Sequence, residues 1–231
     1  MINVAYRITA VPERLDNARL EAMRMGISDI YLDSDHNGNI WNKFRVYKDI
    51  IADGNYTHVC MNDDDLIVPA NFPEAVERLV QKFPDCILTF YNSKIGSDSP
   101  SIVRMGNHYM NGASCVIPCK ILPDFLTFYE NNLQGLKWDD TSMSIYALLN
   151  GIDVLMPCPK FVDVVRMKST LSMRKGRYQP PNAGRIYKEF IDVDEICNAE
   201  IVNRKGLLNT HLPSDHPIAV RCQERLMEVE T

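Results

Sequence analysis

His58-Val59-Cys60-Met61-Asn62-Asp63-Asp64-Asp65-Leu66-Ile67-Val68-Pro69 is the stretch that decides the fold. A short apolar run passes directly into three carboxylates, then returns to apolar residues and a proline. The run predicts a buried strand, because short apolar segments bounded by turn residues want a packed environment. Three like charges crowded at its end repel one another, so they need either a solvated turn or a cation. A hard divalent cation suits them, since Mg²⁺ often takes one or two protein carboxylates and completes its shell with substrate phosphates. An acidic turn capping the next helix is the alternative, and the surrounding order of elements arbitrates.

Upstream, Ile2 to Tyr6 reads as a first strand, and Val11-Pro12-Glu13-Arg14 opens a helix with proline in its first turn. Leu15, Ala18, Ala22 and Met25 keep helical spacing, and Gly26 stops the helix. Asp29 to Leu32 forms a second strand ending in Asp33-Ser34-Asp35, and a helix follows with Trp41, Phe44, Tyr47 and Ile51 as its apolar stripe. Downstream, a helix from Pro73 and a strand over Cys86–Tyr91 complete the alternation. Strands alternating with helices predict βαβ units on a mainly parallel sheet. Ligands in such sheets bind at the carboxyl ends of strands, where Arg7 to Ala10, Asp33 to Asp35 and Asp63 to Asp65 are all expected.

Beyond Tyr91 come a turn-rich stretch, an edge strand at Ser101–Arg104, and Asn111-Gly112-Ala113 before a strand over Cys115–Pro118. A helix around Leu122 to Asn131 precedes Trp138-Asp139-Asp140, which opens a helix closed by Asn150-Gly151. Asp153 to Met156 is a late strand, and Val220 to Glu230 a last helix.

The chain has 231 residues, 45% of them hydrophobic, enough for one sizeable α/β domain. A formal net charge of −5 argues against general coating of nucleic acid. The first residues carry no basic segment followed by an apolar one, and no apolar stretch is long enough to span a bilayer. A cytoplasmic protein without integral membrane association is expected. Its seven cysteines are scattered, with no zinc spacing, and are expected to be reduced.

In order, these features resemble the GT-A-type, nucleotide-sugar-dependent glycosyltransferases with a DXD motif, over about residues 3 to 171. The resemblance implies a single α/β GT-A-like domain: a mainly parallel twisted sheet flanked by helices, with a loop-rich C-terminal elaboration. Residues 1–91 would form the nucleotide-sugar-binding half, 92–171 the acceptor half, and 172–231 a basic loop and helical extension. Thr9, Ala10, Val11 and Asp33 would line the pocket for nucleobase and ribose. Asp63 would approach ribose or diphosphate, and Asp65, with Asp63, would hold Mn²⁺ or Mg²⁺. Arg14, Lys43, Asp64, Arg166 and Lys168 complete the donor-binding set. Gly112, Ala113 and Trp138 would face the acceptor, although a tryptophan beside a helix start also suits a core.

Asp140 stands where inverting members carry a catalytic base that takes the acceptor hydroxyl's proton. Asp139 is the other candidate, and one of the two is expected to cap the helix instead. A retaining enzyme would require no such base. The late strand departs from the pattern: Val164 occupies the position where the family often has a metal-binding histidine. Asp163, diphosphate oxygens, or Arg166 and Lys168 would have to fill that role.

Arg166, Lys168, Arg174, Lys175, Arg177, Arg185 and Lys188 form a basic segment, read either as a solvated loop or as a phosphate-binding one. The phage enzymes that glycosylate hydroxylated bases in DNA are the leading likeness for the acceptor, with Tyr178, Tyr187 and His108 as stacking surfaces. A surface glycan or lipid-linked acceptor is the alternative. A sugar nucleotidyltransferase is disfavoured because Thr9 to Arg14 has no glycine with which to wrap a triphosphate. A nucleotide-binding module without turnover stays open.

Overall fold

In the computed structural model, the described residues are 1–91, 99–165, 190–205 and 208–230. The expected alternation is present. Strand β1 (Val4–Ala10) leads through a single 3₁₀ turn at Pro12–Arg14 into α1 (Leu15–Met25), then β2 (Ile30–Leu32), α2 (Asn39–Asp53) and β3 (His58–Asp63). Next come β4 (Leu66–Ile67), α3 (Phe72–Lys82), β5 (Ile87–Thr89), β6 (Ser101–Met105), β7 (Ser114–Pro118), α4 (Leu122–Asn132) and α5 (Asp139–Leu149). The chain continues with β8 (Val154–Cys158), β9 (Asp163–Val164), α6 (Val193–Cys197), β10 (Ile201–Arg204) and α7 (Pro217–Glu230).

Eight strands form one sheet in the order β10-β6-β8-β5-β7-β3-β1-β2. β1, β2, β3, β5 and β8 run one way, while β6, β7 and β10 run against them. The fold class is therefore the α/β class expected, a mainly parallel sheet flanked by helices. Alternation along β3 shows why both faces are covered. Cys60 points into a core shared with Ala18, Ala22 and Met25 of α1 and with the apolar face of α3. Val59 and Met61 point into the opposite core with Val46, Tyr47 and Ile50 of α2 and Phe125 of α4. Burying both faces of a strand this way explains its near-continuous apolar sequence.

Three local expectations are corrected. β1 runs to Ala10, so Arg7 lies inside the strand, because Ile8 to Ala10 pair in register with Ile30 to Leu32. The buried face of α2 is Asn42, Lys43, Val46, Tyr47 and Ile50, whereas Trp41 and Ile51 are exposed. The helix turns that way because Asn42 donates to Tyr31 O and Lys43 meets carboxylates beneath it. β6 is not an edge strand, since β10 from the C-terminal part pairs outside it. Among the described residues, the seven cysteines are thiols and form no disulfide. Among the described residues, no helix is long and apolar enough to cross a membrane.

Candidate active site

The triplet sits where β3 ends, and its three side chains go to different partners. Asp63 faces α2 and α5. Its Oδ1 lies 3.1 Å from Lys43 Nζ and accepts a 3.4 Å hydrogen bond from Thr9 Oγ1. Asp64 turns back under the β1 end, where Oδ2 accepts from Val11 N at 2.9 Å and Oδ1 from Arg14 Nη1 at 3.1 Å. Asp65 Oδ2 receives the same guanidinium nitrogen at 2.9 Å. Asn17 of α1 adds a 2.6 Å bond to the Asp64 carbonyl. The proline-led turn after β1 thus serves to deliver Arg14 onto two adjacent carboxylates.

Lys43 is the seam of the site. Its side chain is only 1% exposed, and its Nζ also meets Asp139 Oδ2 at 2.9 Å and donates to Gly112 O at 2.5 Å. Burial alone would lower a lysine's pKa, but the Asp139 and Asp63 carboxylates more than offset it and hold Lys43 well above its ordinary range. Gly112 has to be glycine here. A Cβ on it would stand 2.6 Å from Asp139 Oδ2, 3.0 Å from Lys43 Nζ and 3.2 Å from Asp140 Cβ. Next to it, Ala113 O accepts from Asp63 N at 2.8 Å. Gly112 and Ala113, expected to face an acceptor, thus also tie the segment before β7 to Lys43 and to the end of β3.

Asp140 follows Asp139 on α5 and leaves this network. Its Oδ2 accepts from Tyr109 Oη at 3.2 Å and its Oδ1 from Thr141 N at 2.7 Å. Burial and the neighbouring Asp139 raise it to about 6, against the pull of Lys43 and its two hydrogen bonds. Asp63 is pushed up further, to about 7, by burial against the attraction of Lys43, with Asp65, Asp139 and Asp64 adding to the rise. No side chain caps α5, so neither aspartate is the helix cap that was expected: Asp139 is committed to Lys43 instead.

Other expected residues are placed as follows. Thr9 and Ala10 are buried in β1. Asp33 is buried, with Oδ1 accepting from Asn37 N and Nδ2 and Oδ2 from Gly38 N. Although burial works against it, these donors hold its carboxyl below the usual range, so it organises its own loop. Trp138 stacks on His211 with ring centroids 4.4 Å apart, at the edge of an apolar cluster containing Leu133, Ile145 and Ile218. Arg166, Lys168 and the rest of the basic segment lie outside the described residues, as do Tyr178 and Tyr187.

The late strand does come to the triplet: β9 pairs with β4, and Val165 N donates to Asp65 O at 2.6 Å. Val164, however, sits opposite Leu66 and packs in the apolar core, so its side chain has no bearing on a cation. Three participants carried no expectation. Tyr109 and Asn39, which touch Asp140 and Asp139, left no local signal. Glu21 did, because it falls beside Ala18, Ala22 and Met25 on the buried face of α1. Both its carboxyl oxygens are buried with no hydrogen-bond partner among the described residues, and burial next to Asp63, Asp65 and Asp64 raises it well above the usual range.

Among the described residues, no three metal-ligating side chains converge. The donor set nevertheless suits a hard cation that a substrate completes. A quarter of the Asp63 side chain is exposed, with Oδ1 alone engaged among the described residues, and Asp65 stands two residues on. Asp63, Asp64, Asp65, Asp139 and Asp140 outnumber Lys43 and Arg14, so the cluster is anionic. A diphosphate could approach it only with a cation between them.

No family model matches this chain, and neither does any curated protein. Among solved structures it is similar to A197 from STIV, with a TM-score of 0.49 and 10% identity over 79% of this chain and 98% of that one. It is also similar to a glycosyltransferase involved in the glycosylation of the major capsid of PBCV-1, with a TM-score of 0.39 and 10% identity over 80% and 82%. Neither likeness assigns a function at these values.

Proposed function

We propose that the chain is a glycosyltransferase that moves a sugar from a nucleoside-diphosphate sugar to an acceptor hydroxyl. One observation carries the reading: Lys43 ties Asp63 of the triplet to Asp139, which sets Asp140, its carboxyl pushed up to about 6 by burial and by Asp139, beside the donor end of the sheet. A base whose pKa lies just below the working pH is deprotonated and still able to take a proton. Asp140 would accept the acceptor's hydroxyl proton while that oxygen attacks the anomeric carbon and the bond to the diphosphate oxygen breaks. Tyr109 orients the Asp140 carboxylate through its hydroxyl. Lys43 and Arg14 fix Asp63 and Asp65, which would hold Mn²⁺ or Mg²⁺. When bound, that ion supplies positive charge for the leaving diphosphate.

The acceptor we propose is a hydroxymethylated base in DNA, supported by the basic residues between Arg166 and Lys188 in an otherwise acidic chain. The test is nucleotide diphosphate release from a panel of UDP- and GDP-sugars, with Mn²⁺, Mg²⁺ or chelator, and with or without hydroxymethylated DNA. Release stimulated by the modified DNA is expected. Release indifferent to DNA would move the acceptor to a glycan or lipid, and no release from any donor would overturn glycosyl transfer.

A further inference from the structure

The C-terminal ends of β6 and β10 and the turn before β8 meet on the rim opposite the triplet, because β6 and β10 run against β3 and β8. A cavity of about 490 Å³ opens there. Its described lining includes Arg104 of β6, Arg204 and Lys205 at the end of β10, and Arg225 of α7, with Asp153 as the acidic member. In a chain of net charge −5, this is a strong local excess of positive charge. Arg104 is paired with Asp153 at 3.3 Å and Arg225 with Glu228 at 2.7 Å, so among the described residues two carboxylates stand against four cations and the local excess is two positive charges.

The floor of the cavity is built by backbone. Gly106 N donates to Arg204 O at 2.8 Å, and a Cβ on Gly106 would sit 2.8 Å from that same oxygen. Any side chain at 106 would part the two strands and scatter the cations they carry. Arg104 Nη2 lies 3.3 Å from Asp153 Oδ2, while its Nε is buried with no hydrogen-bond partner among the described residues. His108 Nδ1 donates to Ile152 O at 2.6 Å, which fixes the ring at the cavity wall.

We infer that this cavity binds a small phosphate-bearing anion of about diphosphate size, at a site separate from the donor end of the sheet. Arginine forks match phosphate oxygens through paired, charge-assisted hydrogen bonds. The volume is that of an ordinary small-molecule pocket, and its concavity suits a compact anion better than a duplex backbone.

The probe is inorganic pyrophosphate, titrated calorimetrically into the full-length chain with chelator present and at two salt concentrations. Wild type is compared with Arg104→Gln and Arg225→Gln, whose folding is checked by circular dichroism and urea unfolding. One saturable site is expected, weakened at least tenfold in either variant and weakened by salt. An absence of binding would overturn the inference. Binding that both variants leave unchanged would also overturn it, by returning the anion to the triplet end.

Discussion

Lys43→Met is the perturbation that tests the site most directly. The substitution keeps the length and apolar stem of the side chain and deletes the charge that Asp63, Asp139 and Gly112 O share. Removing one partner of a buried ion pair costs about 3–5 kcal/mol, because the other charge is left uncompensated. In a chain of 231 residues that corresponds to roughly 10 °C in Tm. The pH dependence has a definite sign. Lys43 is held above a lysine's ordinary 10.5, so its own contribution is complete at every pH below that value and stays flat from 6 to 8. Asp63 rises on folding from 3.8 to about 7, so it favours the folded state most at low pH and loses that advantage as pH climbs toward 7. Without Lys43 its pKa rises further, and the loss continues above 7 at up to about 1.4 kcal/mol per pH unit. Urea unfolding of wild type and variant at pH 6 and pH 8 is the assay. A larger deficit at pH 8 is expected, reduced when Asp63→Asn is added. A deficit below about 1 kcal/mol at both pH values, or one that ignores pH, would refute the buried ion network.

Four further outcomes follow from the same geometry. Glu21→Gln removes a carboxyl whose pKa is raised on folding; the wild-type acid destabilises the fold increasingly as pH rises above 4.5 toward its folded pKa, at up to about 1.4 kcal/mol per unit. The stability difference between variant and wild type should widen from pH 5 to 8 in urea unfolding, and parallel profiles would remove Glu21 from the site's electrostatics. Gly112→Ala forces a methyl group against Asp139 Oδ2 and should cost about 1–3 kcal/mol, measured by thermal unfolding, with donor turnover falling alongside. Val164→His puts an imidazole into apolar core opposite Leu66; it should lose about 1–3 kcal/mol without tightening Mn²⁺ binding, as calorimetry would show. Asp140→Asn should abolish turnover while leaving nucleotide diphosphate binding intact, and wild-type kcat/KM should fall below a pH of about 6 as Asp140 protonates.

Much of the fold was legible because its signals are local. The Asp63–Asp65 triplet, the Pro12 turn and the opening of α5 at Asp139 all fell where periodicity and turn chemistry put them. Errors came where a long-range partner decided the outcome. β6 reads as an edge strand by its length and polar flanks, but β10 closes over it from about a hundred residues later. The stripe on α2 was read from Trp41 and Ile51 because apolar residues are assumed to face inward. Carboxylates 20 and 96 residues away instead drew in Lys43, and the helix turned with it.

The candidate site shows the same division more sharply. Which residues are acidic was visible in the sequence; how their charge is balanced was not. Asp64 is expected with the donor-binding set, and what its sequence position does not reveal is that Val11 N and Arg14 hold its carboxylate, the same guanidinium that reaches Asp65. Gly112 is expected to face the acceptor; what the sequence does not show is that its lack of a Cβ lets α5 bring Asp139 within reach of Lys43. These facts bear on mechanism. Two cations locked among carboxylates set positions and cannot also neutralise a departing diphosphate, because moving them would strand the charges they balance. In the reaction proposed above, the positive charge at the leaving group would then come from outside Arg14 and Lys43. A divalent ion on Asp63 and Asp65 would meet that requirement and would leave Asp140 to act as the base.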